Sequence, residues 1–231
     1  MSSSPVKLFS YRICPFCSRV KSLLRHRGLP FRVVEVNPLT KAELAWSTEY
    51  KKVPVAKFAD GLVVPDSARI VEEALRRSPE SEAFSSPDAL RWEQWAVDKL
   101  AVHMYPNVTR SFSESRRTLE YAYSDFGFLQ GVLIQNVGAL GMSLAHGKIK
   151  RKYGIEDERK SLHALLDQWL DEIGPEGFRG GGHPDLGDVT VHGVLSSVAG
   201  LPLHDEITAW GDGRLGRWLN DVEARFCPTE Q

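Results

Sequence analysis

Two thiols separated by two residues, Cys14-Pro15-Phe16-Cys17, are the groups in this 231-residue chain best suited to chemistry. They open an amphipathic pattern, Val20, Leu23 and Leu24, that stops at Gly28, so the spacing predicts a helix with Cys14 at its start. A helix start leaves its first amide hydrogens unpaired and carries partial positive charge, which favours the thiolate of Cys14 over its thiol. Pro15 fits because the first turn needs no donor there. Cys17 is then placed to resolve a mixed disulfide formed at Cys14. A zinc site lacks ligands, since only His26 is near and Cys227 stands alone, and the remaining histidines show no metal spacing. Three cysteines is a sparse, odd count that disfavours a structural disulfide and suggests a reducing, cytoplasmic compartment. Redox or thiol-transfer chemistry is the reading left.

The elements around the thiols strengthen it. Residues 5–11 alternate like a strand, and Phe31–Val36 is β-branched and apolar, so strand, helix and strand make a βαβ unit. A third strand is expected at 53–59, with a turn at Asp60-Gly61 and a partner at 62–64. Pro54 is either an edge device or a cis proline in a tight turn. Asp66 or Ser67 caps the next helix, whose free amides suit a carboxylate while Asp66 suits an amino group. The γ-glutamyl end of glutathione carries both.

Taken together, Cys14, Val53, Pro54, Asp66 and Ser67 resemble the glutathione site of glutathione transferases and glutaredoxins. The resemblance implies a thioredoxin-like α/β domain over residues 5–80 whose Val53 backbone pairs with a peptide-like ligand. A polar linker at 81–86 leads to an all-α, glutathione-transferase-like domain over 87–227, far more chain than a glutaredoxin needs. Its stripes are Trp92, Trp95, Ala96, Leu100, Met104 and then Leu162, Leu165, Leu166, Trp169, Leu170, Ile173. A Gly-rich turn, 180–188, then leads into a helix capped by Asp185 or Asp188.

More narrowly, Tyr11–Ser18, Val33–Pro38, Lys52-Val53-Pro54, Asp66-Ser67, Pro106-Asn107-Val108 and the Gly-rich turn are similar to the membrane-associated prostaglandin E synthase type 2 family, over nearly the whole chain. That resemblance implies an isomerase of a lipid endoperoxide with Cys14 as the essential thiol. Tyr11 and Phe16 would shape its pocket, and Val53, Asp66 and Ser67 would hold glutathione. It also implies haem as a further cofactor, bound through the glutathione thiolate, and it brings His103 forward as a pocket contact. For Tyr11, the alternatives are a hydrogen bond to sulfur or substrate oxygen and a half-buried strand end. A glutathione-dependent thiol oxidoreductase or transferase and a non-catalytic glutathione or haem carrier are the competing functions.

A net charge of −1 argues against nucleic acid as a partner, and 42% apolar residues suffice for two cores. No signal peptide, transit segment or membrane span is expected. Residues 126–146 are rich in Gly, Ala, Leu and Val, with basic residues following at 148–152. Gln130, Gln135 and Asn136 interrupt that apolar run, so contact within the helical bundle or across a homodimer is expected there. Peripheral attachment to an internal membrane is the alternative.

Overall fold

The computed structural model describes residues 5–78, 82–173 and 177–227. Strand β1 (Val6–Ser10) runs into helix α1 (Pro15–His26) and strand β2 (Phe31–Glu35), and β1 and β2 pair in parallel. Strands β3 (Val55–Lys57) and β4 (Val63–Pro65) form the expected hairpin and complete a four-stranded sheet of order β2-β1-β3-β4. Helix α2 (Ser67–Arg77) follows, and the rest of the chain is helical. The architecture is a thioredoxin-like mixed sheet followed by a helical region, as the sequence implies.

Two strand expectations change. Strand β3 starts at Val55, because Pro54 has no amide hydrogen to give a ladder. Strand β2 ends at Glu35 rather than Val36, and as an edge strand it leaves one side unpaired and Val33 exposed. Helix α1 ends as the sequence predicts, with Gly28 at φ +61°. Residues 79–81, next to and within the expected linker, lie outside the described residues.

The helical region begins with α3 (Pro87–Trp95), which a π-helical turn at Ala96–Leu100 joins to α4 (Ala101–Asn107). Helices α5 (Phe112–Thr118), α6 (Ala122–Phe126) and α7 (Phe128–Leu133) follow, and a second π turn, Ile134–Gly138, joins α7 to α8 (Ala139–Tyr153). Helices α9 (Glu158–Glu172), α10 (Leu186–Ser196), α11 (Pro202–Ala209) and α12 (Arg214–Glu223) close the bundle. Both predicted stripes are core: Trp92, Ala96, Leu100 and Met104 pack with Leu162, Leu166, Trp169 and Leu170, while Trp95 and Leu165 are partly buried. Asp185 caps α10 in a reciprocal capping box with Asp188, whose other oxygen accepts from the Trp218 indole at 3.2 Å.

Helix α1 is held against this bundle from below. Leu186 and Val189 of α10 join the core formed by α1, α2 and the sheet. The Arg19 guanidinium, only 1% exposed, pairs with Glu93 of α3 at 2.8 Å. Ser22 Oγ meets His192 Nδ1 at 3.1 Å. The helix that positions Cys14 is therefore fixed by the second half of the chain as much as by its own sheet.

Candidate functional site

Cys14 is the N-cap residue of α1, with an extended backbone (φ −86°, ψ 116°), and its carbonyl accepts from the amides of Cys17 and Ser18 at 3.0 and 2.9 Å. Its sulfur closes no capping bond, so the first-turn amides act on it as dipoles. Its pKa lies below that of an ordinary thiol. The Cys17 thiol donating to the Cys14 sulfur is the largest cause, the amides of Cys17 and Phe16 and the Lys21 charge add to it, and burial opposes. Cys17 is fully buried, and that burial, reinforced by the neighbouring Cys14 sulfur, holds its own pKa well above the ordinary value. One sulfur is poised as an anion and the other as its donor.

Cys14 opens on an apolar cavity of about 380 Å³ between the sheet and the bundle. Tyr11, Ile13 and Phe16 line the near side; Tyr105, Leu119 and Tyr121 line the far side, with Met142, Ile149 and Tyr153 of α8. Among the described residues no charged side chain lines it, and the polar side-chain groups there are the Cys14 thiol and four phenols. The Tyr105 hydroxyl is spent on the Met142 carbonyl at 2.8 Å. Burial, followed by the nearby sulfurs, pushes Tyr11 up to about 12, so it stays a neutral phenol able to donate. Tyr121 is raised as well, first by burial and then by Glu35.

Glu35, which no sequence pattern singles out, helps set the loop that carries the thiol. Its Oε1 accepts from the Arg12 amide at 2.6 Å, while the Arg12 guanidinium reaches both oxygens of Asp125 on α6 at 2.6 and 2.9 Å and lies over the Tyr121 ring. Burial raises the Glu35 carboxyl to about 7, with the Arg12 amide opposing. A carboxyl with a folded pKa above its unfolded one binds an extra proton in the native state, so its contribution is complete below the unfolded value and lost as pH rises through about 7. Urea unfolding of Glu35→Gln is expected to show a smaller loss of stability between about pH 4.5 and 7 than the parent chain shows. An unchanged slope over that window would remove Glu35 from the account.

The other predicted residues are placed as follows. The Val53-Pro54 bond is cis, and among the described residues the Val53 backbone has no hydrogen-bond partner. The Pro54 carbonyl accepts from the Asp66 amide at 3.2 Å, which brings the two segments together. Asp66 is the N-cap of α2, with φ +73°; its Oδ1 accepts from the Ala68 amide at 2.9 Å, and the exposed carboxylate keeps capacity for an ammonium. Ser67 is buried at the first turn beside it. The Tyr50 phenol, missed in the sequence, is raised by burial and then by Asp66, Cys17 and Cys14. His103 is not brought to the cavity: its Nδ1 is 2.7 Å from the Lys99 carbonyl, and its neighbours Val102, Met104 and Tyr105 line the wall instead. Among the described residues no group of His, Cys, Asp or Glu is arranged to hold a metal ion.

With this geometry in place, comparison with known proteins is informative. Residues 8–82 match the model of the glutathione S-transferase N-terminal domain. Prostaglandin E synthase 2 of Mus musculus is 28% identical over 257 residues, covering 89% of this chain and 67% of that protein. The chain thus spans about two thirds of the length of its curated relatives. Among solved structures, glutathione transferase GSTFuA3 from Phanerochaete chrysosporium superposes with a TM-score of 0.66 at 15% identity, covering 99% of this chain and 100% of that one. Glutaredoxin 2 from Salmonella typhimurium, solved in complex with glutathione, gives 0.55 at 16% identity, covering 96% and 95%. Residues 8–82 are thus similar to the glutathione S-transferase N-terminal domain, and the chain over most of its length is similar to the proteins named prostaglandin E synthase 2.

Proposed function

We propose that this protein is a glutathione-binding isomerase that converts the endoperoxide of prostaglandin H2 into the keto-alcohol of prostaglandin E2, with Cys14 as its acid–base group. The observation that carries this reading is an acidified thiol opening on a cavity with no charged wall. Such a cavity suits an apolar substrate, and the curated relatives carry the name of that activity. The Cys14 thiolate removes the proton from a peroxide-bearing carbon. The electron pair left behind forms the ketone, the O–O bond breaks, and the other oxygen leaves as an alkoxide that takes the proton back from Cys14. Substrate and product are isomers, and the thiolate is regenerated. The neutral Tyr11 phenol donates to the oxygen on which charge develops.

Glutathione fits the residues beside the thiol. Val53 offers an unpaired backbone to a tripeptide, the start of α2 offers amides to its γ-glutamyl carboxylate, and Asp66 offers an anion to its amino group. Haem finds no such support, since among the described residues the cavity wall supplies no cation for its propionates, and the reaction takes no step through it. Asp66→Ala is expected to weaken glutathione binding by roughly tenfold to a hundredfold, the worth of one hydrogen bond to a charged group, with the fold intact. Calorimetry with glutathione checks this, and unchanged affinity would remove the γ-glutamyl assignment.

A thiol oxidoreductase is the second reading, favoured by one observation: Cys17 hydrogen-bonds to Cys14 directly and could displace a mixed disulfide. Prostaglandin H2 supplied to the purified protein, beside a disulfide-reduction assay, separates the two. Isomerisation yields prostaglandin E2 without consuming glutathione, whereas thiol exchange oxidises it.

A further inference from the structure

Helices α7 and α8 and the π turn between them form one continuous helix, Phe128–Tyr153, long and apolar enough in length and composition to cross a membrane. Its inner side is committed to the protein: Ile134 and Ala139 are buried, and Met142, Ile149 and Tyr153 line the cavity beside Cys14. The outer side is a stripe of exposed residues, Leu129, Leu133, Val137, Leu140 and Leu144, with Leu129 and Leu144 at 83% and 76%. Of the polar residues that break the apolar run in sequence, Asn136 is exposed within this stripe, its side-chain amide donating to the Val132 carbonyl of the same helix at 2.8 Å. Gln130 accepts from Asn37, and Gln135 is buried, accepting from Arg116 and from the Tyr123 hydroxyl.

The same three- and four-residue spacing carries the stripe on to Lys148 and Arg151. Both are exposed, and among the described residues neither has an ion-pair partner. Residues 128–153 contain four cations and no carboxylate, in a chain of net charge −1. Of the acidic residues that follow, Asp157 caps α9 and Glu158 pairs with Lys150, while Glu156 is exposed beyond the end of the helix. A second copy of this face would bring leucines to the leucines but no anion to the lysine and arginine. An anionic phospholipid surface supplies hydrocarbon for the first and headgroups for the second.

The geometry points to helix Phe128–Tyr153 as an in-plane docking surface for an anionic phospholipid bilayer, lying on it through the Leu129–Leu144 stripe with Lys148 and Arg151 at the headgroups. The helix lies on the bilayer rather than through it, because its inner face belongs to the protein core and the cavity wall. The cavity beside Cys14 is then one helix thickness from the lipid.

Flotation of the full chain with vesicles of phosphatidylcholine, alone or mixed with phosphatidylserine in equal parts, tests this without reference to enzyme activity. Binding to the mixed vesicles is expected, weakening with salt. Lys148→Gln with Arg151→Gln should weaken it by about thirtyfold, and Leu133→Gln with Leu144→Gln should abolish it, with circular dichroism unchanged. In the unaltered chain, the mixed vesicles should slow acylation of Lys148 by an amine reagent. Absence of binding to either vesicle, or binding that both double variants retain, would overturn the proposal. So would a dimer in sedimentation that the leucine variant turns into monomer, which would assign the face to a second copy.

Discussion

Cys14→Ser is expected to lower turnover of prostaglandin H2 on the order of a thousandfold, within the range that a positioned acid–base group contributes. A serine hydroxyl at the start of α1 would be neutral at any working pH, because the first-turn amides and the Cys17 donor lower the pKa of a thiol but leave an alcohol, which starts far higher, protonated. Cys17→Ser is expected to cost far less, on the order of tenfold, since it weakens one hydrogen bond to the Cys14 sulfur and leaves the amides in place. Steady-state rates of the two variants are the check. Comparable losses from both would point to dithiol exchange instead, because that reaction needs each sulfur in turn.

The largest expected effect on stability is at Gly193. Helix α10 crosses α1 so closely that a Cβ on Gly193 would stand 2.4 Å from the Arg19 Cα and 2.8 Å from the Ser18 carbonyl oxygen, both backbone atoms that no rotamer change can move. Gly193→Ala must therefore separate two helices, disturbing the buried Arg19–Glu93 pair and the Ser22–His192 contact on the same interface. A loss of about 3 kcal/mol is expected, the upper end for overpacking, which lowers the melting temperature of a chain this size by roughly 6–12 °C. Because α1 carries Cys14, the cysteine's reactivity should fall in parallel. A melting temperature within about 2 °C of the parent would mean that the helices separate at little cost.

The near half of the site could be read from sequence because it is local. Pro15, the Val20-Leu23-Leu24 periodicity and Gly28 define α1 without any tertiary contact, and Asp66 caps α2 through its own neighbour Ala68. The far half could not. Tyr121, Met142, Ile149 and Tyr153 reach the thiol only because α6 and α8 fold back over the β1–α1 loop, and nothing in their spacing separates the cavity side of α8 from its outer side. Glu35 sits in a strand that alternation alone describes as ordinary, and its raised pKa comes from burial around the loop that Arg12 ties to Asp125. Gln135 misled for the same reason: composition counts it as a polar interruption, while its partners Arg116 and Tyr123 hold it buried. His103, prominent in sequence as a lone histidine near the predicted pocket, turns back to its own helix, where the Lys99 carbonyl satisfies it.

The Cys17 thiol and the start of α1 together hold Cys14 at a pKa below that of an ordinary thiol. The direct measurement is the pH dependence of its alkylation by iodoacetamide in the unaltered chain, with Cys14 distinguished from Cys17 and Cys227 by peptide mass. The account predicts a midpoint clearly below that of an ordinary thiol, moving upward in Cys17→Ser. A midpoint at or above the ordinary value, unmoved when Cys17 is replaced, would contradict it.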